Sequence, residues 1–264
     1  MKEEKIIKAG VVQFDVKFGD VDSNIETALD GIKKLGGRGV EVVVLPELWS
    51  CGFDNKKLAD YAERTPEIIE KLTQKASEYN MVIAGSLPEL SEEVVYNTCY
   101  MIDGDGTLAG SYRKIHLFST AGEDKYFGTG ETAAAYNTTV GKVGMIICYD
   151  LRFPEICRTL ALDGAEIILV SAQWPVARIN HWDTLIQARA IENQLFIVAV
   201  NRCGRDKNLQ YGGHSQIVSC TGELLAKAEN EPSIHEADLD FNELKKFRSF
   251  IPCFKDRVPM TYRT

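Results

Sequence analysis

Apolar, β-branched stretches recur along the chain and are separated by polar, helix-like segments. The runs IIKAGVVQF (6–14), VEVVVLPE (40–47), MVIAGSLPE (81–89) and YNTCYMID (96–103) predict strands in the first half. VGMIICYD (143–150), AEIILVSAQW (165–174), LFIVAVNR (195–202) and HSQIVSC (214–220) predict strands in the second. Several are too continuously apolar to leave a wet face, which implies strands buried on both sides. Between them lie helical patterns at 22–37, 65–80, 153–165 and 181–194. The first has Asp22 or Ser23 as its cap and a glycine pair as its stop. The second opens Thr-Pro-Glu and closes at Asn80, and the third opens at Pro154. The fourth carries an apolar stripe at Trp182, Leu185 and Ile186.

Strand–helix alternation with buried strands implies an α/β fold whose sheets are covered by helices. The Asp-Gly turns in MIDGDGTLAGSYRK add an antiparallel hairpin, so the sheets are expected to be mixed. No repeat, low-complexity stretch or linker interrupts residues 1–264, which are read as one domain.

The 45% hydrophobic and 26% charged composition is that of an ordinary globular protein. A formal net charge of -8 argues against a nucleic-acid partner, which would need a basic face. It leaves room for a local basic pocket. MKEEKIIKAG lacks an apolar signal core, and no apolar run approaches the roughly 20 residues of a membrane span. A cytoplasmic protein without a membrane partner is the expectation. The scattered cysteines (51, 99, 148, 157, 203, 220, 253) read as reduced thiols.

Metal and nucleotide chemistry find little support. His116, His181, His214 and His235 include no i,i+4 pair, and no C-x-x-C occurs. GDGTLAG and GGRG lack phosphate-loop spacing. Cys148 is different, because the strand GMIIC ends on it and a helix opens shortly after, at Pro154. A buried cysteine is usually an inert core residue. At a strand end facing a helix N-terminus, however, the thiolate is favoured. A thiol nucleophile also needs a base and an oxyanion donor. Glu47 ends the run VEVVVLPE, where lost solvation raises a carboxyl toward the range of a general base. Lys114, flanked by Tyr112, Ile115, Leu117 and Phe118, is a candidate oxyanion donor. A surface glutamate and a snorkelling lysine are the commoner fates of such residues.

LPELWSCGF, YRKIHLF and GMIICYDLRFPE together resemble the three signature blocks of the carbon–nitrogen hydrolase (nitrilase) superfamily, in order and spacing. The resemblance runs from about residue 6 to about residue 262. It implies a four-layer α-β-β-α sandwich with mixed sheets, a homodimer, no cofactor, and a small-molecule amide as substrate. It further implies that Cys148 attacks the carbonyl carbon and that Glu47 relays protons. Lys114 and the backbone N–H of Tyr149 would hold the oxyanion, with Glu123 of STAGEDKYF as a second glutamate. Residues 171–225, with WPVAR followed by HWDTLIQARAIENQ, resemble the omega-amidase branch, including 2-oxoglutaramate amidases. That implies hydrolysis of the terminal amide of a small keto dicarboxylic acid through a cysteine thioester. A substrate carboxylate needs a cation, and Arg178, close to Trp174, is the candidate. Arg152, Arg189 and Glu192 read as structural, pairing across the turn and along the helix.

The competing readings are a deaminated-glutathione amidase, an N-carbamoyl amide hydrolase and a nitrilase with the same triad. A Cys–His hydrolase using His116 or His214, and a catalytically silent binding protein, complete the set.

Overall fold

The computed structural model describes residues 5–206 and 209–262. Val42–Val44 shows how a continuously apolar run is used. Val42 and Val44 belong to one buried cluster, shared with a second sheet, while Val43 belongs to another, shared with helices. The two-residue period of a strand divides the run between two cores.

The first sheet runs in the order Ser233–Asp240, Ile6–Gln13, Val42–Val44, Val82–Ser91, Val94–Ile102, Leu108–Arg113. Its inner pairings, of Val42–Val44 with Ile6–Gln13 and Val82–Ser91, are parallel, and the rest are antiparallel. The second sheet runs Leu224–Lys227, Gln216–Val218, Phe196–Asn201, Ile167–Ala172, Gly141–Ile147, Tyr136–Thr138. It too has parallel pairings at its centre and antiparallel ones outside.

Val11, Val44, Ala84 and Met101 of the first sheet join Met145, Leu169 and Val198 of the second in one core. Ser171 Oγ crosses between the sheets to donate to Leu45 O at 2.8 Å. Helices Val21–Gly36 and Thr65–Tyr79 cover the outer face of the first sheet through Ile25, Ile32, Ile68 and Leu72. Pro154–Leu162 and Ile179–Asn193 cover the second through Ile156, Leu160, Trp182 and Ile186. The expected four-layer sandwich with mixed sheets is therefore the observed architecture.

Local departures have physical reasons. The cap of the first helix is Asp20, whose side chain accepts from Ser23 N at 3.2 Å, rather than Asp22 or Ser23. The 40–47 run forms only a three-residue strand. Pro46 has no N–H to extend the ladder. Ser233–Asp240 lay outside the expected strands because SIHEADLD is largely polar. It pairs along the whole of Ile6–Gln13 as an edge strand. Met1–Glu4, part of the N-terminal stretch read as lacking a signal core, lie outside the described residues. No described helix is long and apolar enough to cross a membrane.

Candidate active site

Two parallel strands of opposite sheets end side by side, and the chain turns sharply after each. Glu47 follows Val42–Val44, with Leu48 behind it at φ 39°. Cys148 follows Gly141–Ile147 at φ 45°. Non-glycine residues avoid this left-handed region at a cost of order 1 kcal/mol, so both turns are held by their surroundings. Leu48 N donates to Ser86 Oγ at 2.7 Å. A Cβ on neighbouring Gly85 would meet Leu45 Cβ at 2.7 Å and Trp49 Nε1 at 2.9 Å, so only glycine fits beneath the Glu47 turn.

The turn at Cys148 is fastened by Asp150, which is fully buried. Its Oδ2 accepts from Ile147 N at 2.9 Å and from the Tyr112 hydroxyl at 2.7 Å. Its Oδ1 accepts from His116 N at 3.0 Å and lies 2.8 Å from His116 Nδ1. The His116 ring stacks on Phe153 at 3.7 Å.

Lys114 leaves the end of Leu108–Arg113, its N–H bonded to Asn97 O at 2.9 Å. Its ammonium sits between two carboxylates, 2.8 Å from Glu47 Oε1 and 2.8 Å from Glu123 Oε2. Glu123 is fixed in turn by Phe118 N, at 3.0 Å. Glu47 Oε1 also accepts from Asn97 Nδ2 at 2.9 Å, and Oε2 from Gln173 N at 3.0 Å. The Glu47 carboxyl and the Gln173 backbone N–H both act electrostatically on the Cys148 thiol. Thus Glu47, Lys114, Glu123 and Cys148, distant in sequence, form one connected cluster.

Burial raises Glu47 above the usual carboxylate range, and the charge on Glu123 adds to this. Lys114 opposes the shift without cancelling it. Burial alone would lower Lys114, but Glu47 and Glu123 outweigh it and keep the ammonium charged. Cys148 is pushed well up, first by burial and then by Glu47. This corrects the expected thiolate. The chain from Cys148 to Arg152 is a 3₁₀ turn, with the helix starting only at Pro154, so burial and a facing carboxylate dominate. The resting thiol needs a base, and Glu47 lines the same cavity.

A cavity of about 300 Å³ opens onto Cys148, Glu47 and Glu123. That is the small end of ligand pockets, suited to a metabolite. Tyr149, Trp174 and Arg178 also line it. Trp174 Nε1 donates to Arg178 O at 2.8 Å, fixing the arginine's backbone. Arg189 and Glu192 pair at 3.0 Å as expected, and Arg189 also grips Leu151 O at 2.9 Å. Arg152 departs from its structural reading: it lines the cavity and lies over the Trp174 ring, 4.5 Å from its centroid.

Gln173, Asn97 and Asp150 were missed. Each is a polar residue within or just beyond an apolar run, which is the signal that marks them. His116 and His214, the alternative bases, are engaged by Asp150 and by Asp183. Neither lines the cavity. Among the described residues, no group of three or more His, Cys, Asp or Glu is placed to hold a metal ion.

Residues 8–249 match the carbon-nitrogen hydrolase family. The chain belongs to that family. It is 36% identical to a 2-oxoglutaramate amidase of Bacillus subtilis, covering 93% of this chain and 95% of that one. It is 34% identical to a Homo sapiens omega-amidase, with 89% of each covered. The crystal structure of a carbon-nitrogen hydrolase from Helicobacter pylori superposes with a TM-score of 0.92 at 29% identity, over 97% of each chain.

Proposed function

We propose that this carbon–nitrogen hydrolase is a cysteine-dependent amidase. Its substrate would be the terminal amide of a small ω-amido dicarboxylic acid of the 2-oxoglutaramate type. The observation that carries the reading is that Glu47 and Cys148 line a cavity that also holds Arg178, with Lys114 bound to Glu47 behind the lining. The names of the B. subtilis and human relatives supply the substrate class.

In this reading Glu47 takes the Cys148 proton as sulfur attacks the amide carbon. Lys114 Nζ contacts Glu47 Oε1 and both oxygens of Glu123, so in this reading one of its three N–H groups turns from the doubly held Glu123 to the developing oxyanion. The backbone N–H of Tyr149 is the second proposed donor. Glu47 passes its proton to the departing nitrogen, the C–N bond breaks, and ammonia leaves an acyl thioester on Cys148. Glu47 then takes a proton from water, whose oxygen attacks the thioester. Collapse of that adduct breaks the C–S bond, releasing the acid and restoring the thiol. Glu123 holds Lys114 in place, and Arg178 grips the substrate carboxylate.

The experiment is an ammonia-release screen across ω-amides of keto acids, amino-acid amides, N-carbamoyl compounds and nitriles. Keto-acid ω-amides should give the highest kcat/KM; a preference for another class would overturn the assignment. A homodimer in the cytoplasm belongs to the same proposal. It is supported by unpaired thiols and by an apolar C-terminal surface, where Phe250 and Met260 are 83% and 95% exposed. Light scattering would read the assembly, and a monomer would contradict it.

A further inference from the structure

Arg152 and Arg178 both line the cavity, and neither forms an ion pair with a carboxylate among the described residues. The fully buried arginines do pair, Arg189 with Glu192 and Arg202 with Asp15 and Asp206, whereas Arg152 and Arg178 are half-buried. The two cavity arginines lie instead over aromatic rings. Arg152 sits 4.5 Å from the Trp174 centroid and Arg178 5.7 Å from that of Phe118. A ring face orients a guanidinium flat while leaving its N–H edge free. Arg152 makes one further contact, 3.3 Å to His181 Nδ1, which brings no negative charge.

The pair is also close enough to feel itself. Burial lowers the pKa of Arg152, and the charge on Arg178 lowers it further. The cavity carboxylates do not relieve this, because Glu47 and Glu123 are both bound by Lys114. With Lys114 bound to both glutamates behind the lining, the two carboxylates face three cations, and the arginine pair keeps an excess of positive charge.

We infer that Arg152 is a second specificity-determining residue, which with Arg178 selects ω-amides bearing a carboxylate and a neighbouring 2-oxo group. The pair would reject those bearing a 2-ammonium group. The inference rests on the amidase reading and deepens it. Two guanidinium edges can divide between them the carboxylate and the adjacent carbonyl oxygen, both acceptors. An ammonium at the same carbon offers only donors and a like charge. Like charges brought together in a partly desolvated pocket repel, and rejection of this kind is how a site separates near-isosteric substrates.

The test measures kcat/KM on three ω-amides of one chain length, with a 2-oxo, an unsubstituted or a 2-ammonium carbon beside the carboxylate. Enzymes compared are wild type, Arg152→Gln and Arg152→Lys, each checked for folding by circular dichroism. Wild type should rank oxo above unsubstituted above ammonium. Arg152→Gln should lower the oxo-to-ammonium ratio about tenfold or more. Arg152→Lys, keeping charge but losing the fork, should fall between. An unchanged ratio in folded Arg152→Gln overturns the inference and leaves the amidase reading standing. Wild type inactive on all three overturns both.

If Arg152→Gln does not fold, wild type still decides. A 2-oxo diacid should inhibit competitively about tenfold or more tightly than the 2-ammonio diacid of equal length. Equal inhibition overturns the inference.

Discussion

Lys114 Nζ lies 2.8 Å from Glu47 Oε1, and both side chains are fully buried. The second carboxylate, Glu123, makes the ammonium a bridge rather than half of a pair. That bridge fixes one oxygen of Glu47, while the other accepts from Gln173 N at 3.0 Å. It also fixes the base within reach of the thiol.

Replacing Glu47 with Gln preserves shape and removes the proton acceptor. Turnover should fall about 10²-fold or more, with the melting temperature little moved. Activity within threefold of wild type in a folded variant would deny Glu47 the role of base.

Substituting Lys114 with Met should act on two readouts at once. It removes the proposed oxyanion donor, lowering kcat about 10²-fold, and strands two buried carboxylates, destabilising the fold by about 3–5 kcal/mol. Chemical denaturation and steady-state kinetics separate the two. A stable and active variant would contradict the arrangement.

The acidic limb of kcat/KM should lie above the usual carboxylate range. Glu47 must be deprotonated to work, and its pKa is raised, so activity is gained as pH rises through that higher value. The titration belongs to the coupled Glu47–Cys148–Lys114 set. A profile flat down to the ordinary glutamate range would refute the raised pKa.

Asp150 should be a positioning residue for the nucleophile. Asp150→Asn replaces an acceptor that serves three donors, Tyr112 and two backbone N–H groups, and faces His116 Nδ1. It should cost about 1–3 kcal/mol of stability. Because the turn at Cys148 would slacken, kcat should drop more than KM changes. Equal kcat in a destabilised variant would confine Asp150 to the fold.

Arg178→Lys should lower the ratio of kcat/KM for an acid-bearing amide over a neutral one roughly thirtyfold, about 2 kcal/mol. The lysine keeps the charge but not the two-pronged grip. A ratio that stays put would send the search for the carboxylate partner elsewhere.

The sequence made the buried strands and the helices between them legible because continuous apolar runs and capped, periodic segments have few alternative uses. Glu47 and Cys148 stood out at the ends of such runs, and Lys114 as a cation among apolar neighbours. The Ser233–Asp240 strand did not, because an edge strand with a polar face carries little periodic apolar signal. The upward push on the Cys148 thiol was not legible for a different reason. Nearness to a helix start is visible in sequence, whereas burial beside Glu47 exists only once two sheets have met. Arg152 reads as structural from sequence because nothing local shows that its guanidinium reaches over Trp174, 22 residues on, to line a cavity.

The central claim is that chemistry passes through a covalent bond to Cys148, and rapid acid quench during turnover followed by peptide mass spectrometry tests it most directly. Five other cysteines, Cys51, Cys99, Cys157, Cys203 and Cys220, are buried and pushed up to about 12 by that burial, which makes them inert competitors. The account predicts an acyl adduct on the peptide carrying Cys148 and on no other cysteine peptide, absent in Cys148→Ala, which should be inactive. An adduct on a different residue, or full activity in Cys148→Ala, would contradict it.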